Sequence, residues 1–143
     1  MGTDCSQSVL DDLLRQARLV AEKSYSPYSG FKVGSALLLD NGRVVTGTNV
    51  ENASFGLTVC AERTALVRAV SEFGPGIRIA AVAVANLNGM ASPPCGACRQ
   101  ALAEFAGPEA IVVFLTAEGT KTMQFPALLP LGFEMKPEKQ LEK

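Results

Sequence analysis

Three of the four cysteines stand where they could hold a metal ion, and a carboxylate stands beside them. Cys60 opens a stretch of helical apolar spacing, in Cys60-Ala61-Glu62-Arg63. Cys95 and Cys98 open another, in Pro93-Pro94-Cys95-Gly96-Ala97-Cys98. Positions i and i+3 share one helical face, so both sulfurs can reach one ion. A helix N-terminus carries partial positive charge, which lowers a thiol pKa and favours the thiolate that metals bind. Three thiolates with a free fourth position make a catalytic zinc pattern, whereas structural sites are closed by a fourth protein ligand. Glu62, two residues past Cys60, projects from the first helical turn. A carboxylate there can take a proton from an activated water and pass it on.

Other chemistries fit parts of the pattern. Cys95 and Cys98 alone have the spacing of a redox pair, and Cys5 as a fourth ligand would close a structural zinc site. Glu62 weighs towards catalysis, because a structural site has no use for it. Arg63 fits the same scheme. Three thiolates around one divalent ion leave a net negative charge, and a guanidinium donating to the sulfurs would restore acidity to a bound water. The chain contains no histidine, which excludes Ser-His-Asp and Cys-His nucleophile systems and HExxH zinc proteases.

The elements that must position these residues are legible as periodicity. Residues 9–22 carry an apolar face through Val9, Leu10, Leu13, Leu14, Ala17, Val20 and Ala21, which predicts a helix with Ser8 as N-cap and Asp11 and Asp12 in its first turn. Residues 24–30 are a turn-rich loop. Residues 31–39 and 43–48 read as strands joined by Asp40-Asn41-Gly42, a hairpin signal because Asn-Gly accepts positive φ cheaply. Residues 49–58 read as a loop, and 60–73 as a helix ended by Gly74-Pro75-Gly76. The run 77–85 is apolar and β-branched, as for a strand covered on both faces. A third helix spans 95–106 and stops at Gly107-Pro108. A second buried strand spans 110–116, a short edge strand 120–124, and a short last helix 126–129. The order is α-β-β-α-β-α-β with a further short strand, which predicts a three-layer α/β/α sandwich on a mixed five-stranded sheet.

The chain has 143 residues, the length of one domain, and can hold a core without disulfide staples. Residues 1–8 and 136–143 are expected to be loose. Apolar residues make up 48% and charged residues 19%, which argues against disorder. Thirteen basic residues against fourteen acidic ones argue against a protein that grips polynucleotide phosphates. No segment has the length of a membrane span or the order of a secretory signal, so the expected compartment is the reducing cytosol, where cysteines point to metal or catalysis before disulfides. A mean hydropathy of +0.20 suggests a buried apolar oligomer interface.

With these motifs in hand, the chain resembles the zinc-dependent nucleobase deaminases. The likeness lies in Cys60-Ala61-Glu62-Arg63 and Pro94-Cys95-Gly96-Ala97-Cys98-Arg99-Gln100. The three-cysteine form resembles the small homotetrameric cytidine deaminases of pyrimidine salvage. Phe31-Lys32-Val33-Gly34-Ser35-Ala36 and Asn49-Val50-Glu51-Asn52-Ala53 are similar to that family too, and the likeness runs over residues 25–130.

The resemblance implies a zinc ion per subunit on Cys60, Cys95 and Cys98, with Glu62 moving protons and Arg63 donating to the sulfurs. It implies a nucleoside site with Phe31 packed on the base, Asn49 and Glu51 on the ribose 3′-hydroxyl, and Ala53, Phe55 and Ala61 also contacting substrate. The implied reaction is hydrolytic deamination of cytidine and 2′-deoxycytidine to the uracil nucleoside and ammonia. The implied assembly is a homotetramer whose active sites are completed by neighbours, through residues 52–57 and the region near Phe133. Two alternatives remain: a deaminase of a modified aminopyrimidine nucleoside such as blasticidin S, and a zinc-stapled interaction module without catalysis. Two departures from the family pattern stand out. Phe55 replaces the usual Tyr, and Ser92-Pro93-Pro94-Cys95 carries one proline more than usual.

Overall fold

The computed structural model describes residues 3–135. Helix α1 (Gln7–Ala21) precedes a hairpin of β1 (Val33–Leu39) and β2 (Val44–Thr48). A single 3₁₀ turn (Phe55–Leu57) leads to α2 (Ala61–Phe73), and then come β3 (Ile79–Asn86), α3 (Gly96–Ala103), β4 (Ala106–Thr116), β5 (Gly119–Gln124) and α4 (Phe125–Leu128). The strands form one sheet in the order β2-β1-β3-β4-β5. Only β3 and β4 are parallel, joined by the α3 crossover; the other pairs are antiparallel. The predicted mixed five-stranded α/β architecture is the one observed.

Strand alternation divides the core in two. Leu37, Leu39, Val82, Val84, Val112 and Phe114 pack on the side of α2, α3 and α4. Ala36, Leu38, Ala81, Ala83, Ala85 and Val113 face Leu10, Leu13 and Ala17 of α1. This α1 side of the sheet is mostly alanine, so the helix lies close. Gly34 marks the closest approach, since a Cβ there would run into the backbone carbonyl of Ala17. Gly47 does the same under α2, where a Cβ would meet the backbone of Ala65.

Several boundaries move. The first helix is capped by Ser6, not Ser8, which puts Asp11 and Asp12 beyond its first turn. Asp4 accepts the Ser6 N–H at 2.8 Å through Oδ1. The hairpin has positive φ at Gly42 alone, not at Asn41, the form in which a three-residue loop ends in a left-handed residue. α3 is shorter than its apolar spacing suggests, because β4 begins at Ala106 and takes in Gly107-Pro108. Cys5 is half-buried against the α1 side of the sheet, its Sγ 3.8 Å from the Ala80 carbonyl. The expected loose end from Lys136 lies outside the described residues. Among the described residues no helix is long and apolar enough to cross a membrane.

Candidate active site

The pairing register brings the candidate residues to one edge of the sheet. Val33 at the start of β1 pairs with Asn86 at the end of β3, and Gly34 pairs with Thr48 at the end of β2. Segments 29–32, 49–51 and 87–95 therefore leave the sheet together, beyond the carboxyl end of a parallel strand, where open α/β sheets place ligands.

Cys60 is the N-cap of α2 and Cys95 the N-cap of α3. The Cys95 sulfur accepts the Cys98 N–H at 3.5 Å, so it does the work of a capping oxygen at the first turn of α3. The sulfurs of Cys60, Cys95 and Cys98 all lie within 4.8 Å of one another, and those of Cys60 and Cys95 are 3.9 Å apart. A tetrahedral zinc with bonds of about 2.3 Å sets its sulfurs about 3.8 Å apart, so the cluster fits that ion. Cys5 lies on the other side of the sheet and is not part of the cluster, which removes the closed four-cysteine arrangement.

Electrostatics of the cluster follow from its neighbours. A hydrogen bond from Cys98 and the Arg63 guanidinium, with Nη2 at 3.6 Å, push the Cys60 thiol down to about 5. The Cys98 thiol, which keeps its proton and donates it in a hydrogen bond to Cys60, is pushed up by that bond and by burial. Arg63 thus stands where the charge argument put it, and its Nε is buried with no acceptor among the described residues. Glu62 is only 4% exposed. Burial pushes its carboxyl up to about 7, with the Cys60 charge adding to the effect. A carboxyl poised near neutrality is suited to both taking and giving a proton.

A cavity of about 260 Å³ opens beside the cluster. Cys60, Cys95, Ala61 and Glu62 line it together with Phe31, Asn49 and Glu51. Asn49 is largely consumed by the fold. Its Oδ1 accepts from Ser24 Oγ and from the Val33 N–H at 3.0 Å, and its Nδ2 donates to the Phe31 carbonyl at 2.8 Å. One Nδ2 proton remains to meet a ligand. Glu51 Oε1 accepts the N–H groups of Tyr28 at 3.0 Å and Ser29 at 3.2 Å, and Oε2 accepts the Ser29 hydroxyl. These bonds, the Ser29 hydroxyl foremost, hold its carboxyl below the usual range.

Two expected site residues are not brought in. Ala53 is exposed and does not line the cavity. Phe55 is 78% exposed and stacks edge-on against Tyr28 at 6.5 Å, in an outer cleft that shares Glu51 and Thr58 with the inner one. Thr58 also lines the inner cavity and carried no sequence signal of its own; Ser92 and Pro93, from the proline-rich segment before Cys95, line it too. The extra proline leaves the ligand segment in register: Pro94 is buried, and its carbonyl accepts Arg99 Nε at 2.7 Å.

Converging thiols beside a buried carboxyl, at the end of a cavity lined by acceptors and a ring, make the kind of centre a metal-dependent hydrolase uses. Residues 7–115 match the family model described as the cytidine and deoxycytidylate deaminase zinc-binding region, and the chain belongs to that family. A cytidine deaminase from Halalkalibacterium halodurans is 45% identical over 85% of this chain and 91% of its own. A cytidine deaminase from Mycobacterium tuberculosis is 50% identical over 67% of this chain and 71% of its own. Among solved structures, the cytidine deaminase from Burkholderia pseudomallei superposes with a TM-score of 0.77 at 42% identity, covering 86% of this chain and 98% of that one.

Proposed function

We propose that this chain, acting as one domain, is a zinc-dependent deaminase that hydrolyses cytidine and 2′-deoxycytidine to uridine and 2′-deoxyuridine with release of ammonia. The observation that carries the reading is one cavity lined by Cys60 and Cys95 of the thiol cluster together with Glu62, Phe31, Asn49 and Glu51. Cys60, Cys95 and Cys98 would hold the zinc, which supplies the Lewis acidity that ionises water near neutral pH. Glu62 takes a proton from water as the oxygen attacks C4 of the base and delivers it to ring N3. It then takes the remaining proton of the C4 hydroxyl and passes it to the exocyclic nitrogen; the C4–N4 bond breaks, ammonia leaves and the C4 carbonyl forms. Arg63 offsets the charge of the thiolates.

The far end of the cavity recognises the sugar. The free Nδ2 proton of Asn49 can only donate, and the Glu51 carboxylate can only accept. A group that accepts from one and donates to the other is a hydroxyl, which supports a ribose 3′-hydroxyl at this point. Phe31 packs on the base, and Ala61 lies beside it. Phe55 and Ala53 reach substrate only across a subunit boundary, so their roles belong to a homotetramer in which residues 52–57 and the region of Phe133 complete a neighbour's site. Exposed Phe55, Leu57, Leu131 and Phe133 support such an assembly. Free thiols and a reactive cluster suit the reducing cytosol.

Loss of ultraviolet absorbance tests the function. Purified protein should turn over cytidine and 2′-deoxycytidine, and not CMP. Turnover of blasticidin S alone would replace the substrate, and zinc content with no ammonia from any nucleoside would leave a zinc-stapled interaction module.

A further inference from the structure

We propose that Ser29 is a positioning residue for sugar recognition: its hydroxyl, without touching substrate, aims the Glu51 carboxylate and ties it to the segment that presents Phe31. The inference rests on the reading that Glu51 accepts the ribose 3′-hydroxyl. Three hydrogen bonds meet at this residue, two of them at its hydroxyl. Its Oγ donates to Glu51 Oε2, accepts the Phe31 N–H at 2.9 Å, and its own backbone N–H donates to Glu51 Oε1 at 3.2 Å. With Tyr28 N–H also on Oε1, the carboxylate carries three protein donors, which leaves acceptor capacity on Oε2, and Glu51 lines the cavity.

The need for such a device follows from where Glu51 sits. It is half-exposed on a loop, and a free glutamate side chain samples many rotamers. Ordering it at the moment of binding costs affinity, and ordering it beforehand removes that cost. The two backbone donors fix only Oε1, about which the carboxylate can still swing. The hydroxyl on Oε2 is the contact that sets the plane. Through the Phe31 N–H the same oxygen links the residue that packs on the base to the residue that reads the sugar, so both ends of a nucleoside meet a wall of fixed spacing.

A comparison of substrates with and without the 3′-hydroxyl tests this. The readout is the ratio of kcat/KM for 2′-deoxycytidine to that for 2′,3′-dideoxycytidine, measured for wild type, Ser29→Ala, Ser29→Thr and Glu51→Gln. Ser29→Ala should lower the ratio about tenfold, the size expected for loss of a hydrogen bond to a charged group. The change should fall on KM for 2′-deoxycytidine more than on kcat, and Ser29→Thr, which keeps the hydroxyl, should restore the ratio to within about twofold. If Glu51→Gln collapses the ratio and Ser29→Ala leaves it unchanged, the positioning role is overturned while Glu51 keeps its own. If Ser29→Ala weakens both substrates equally, the serine merely supports the loop and the proposal again falls. A ratio near unity in wild type and in Glu51→Gln alike would remove the sugar reading itself, and the proposal with it.

Discussion

At the scale of single residues, the proposed chemistry turns on the buried carboxyl of Glu62. Burial raises its carboxyl to about 7, so it can accept and return a proton without a large free-energy step in either direction. Glu62→Gln keeps the shape and removes the exchangeable charge. It should lower kcat by about 10²–10⁴-fold or more, while metal analysis shows zinc unchanged; near-normal turnover would exclude Glu62 as the proton carrier. The cysteines divide in the complementary way. Cys60→Ala, Cys95→Ala and Cys98→Ala should each lose zinc, and Cys5→Ala, on the other side of the sheet, should bind it like wild type. These residues were legible in the sequence because helix starts and i, i+3 spacing are local properties. Ser29 and Thr58 were not, because each joins the site only when a distant segment returns to it: Ser29 meets Glu51 across 22 residues of chain. Asn49 shows the opposite case, a residue matched by motif whose side chain also serves the fold.

At the scale of elements, the position of the site depends on how closely two helices lie on the sheet. Gly34 lets α1 approach β1, and Gly47 lets α2 approach β2. Because α2 carries Cys60 and Glu62 at its start, the Gly47 contact also fixes the height of those groups above the sheet. Gly34→Ala should destabilise the fold by about 1–3 kcal/mol or more, as overpacking against rigid backbone does, seen as a lower urea midpoint. A variant as stable as wild type would mean that α1 can lift away freely. The type and order of the elements followed from periodicity, since β3 and β4 are apolar on both faces and α1 on one. Their ends did not. Ser6 displaced Ser8 as the N-cap residue, and Gly107-Pro108, a helix stop in isolation, lies within β4 in the irregular stretch between the Ile79–Ala106 and Ala81–Ile111 pairs.

At the scale of the whole molecule, several large apolar side chains face solvent. Phe55, Leu57, Leu131 and Phe133 are largely exposed, which solvent does not favour. Phe55 sits beside Glu51 in the outer cleft, so a neighbouring copy that covers it would also roof the sugar end. Excluding water there strengthens every charge interaction inside. Phe55→Ala should therefore raise KM for cytidine and shift the assembly towards smaller species in light scattering, with zinc content unchanged. A wild-type protein that is monomeric and fully active at assay concentration would overturn the shared site.

The two N-caps that supply sulfur have one more consequence. Cys60 and Cys95 are 35 residues apart in sequence, on different helices, with β3 between them. An ion held by both is a cross-link, and it closes a loop that the unfolded chain leaves open. The chain-entropy estimate for a closure of that length is about 4 kcal/mol, comparable with much of the net stability of a small domain. Ligand occupancy and folding then obey one law of mass action, in which the melting temperature tracks free metal concentration. Stripping the ion with a chelator should lower the Tm by several degrees and return it when zinc is restored, even in the Glu62→Gln protein that no longer turns over. The cluster would then act on two timescales, as the seat of each turnover and as the rivet that sets how long the enzyme survives between them.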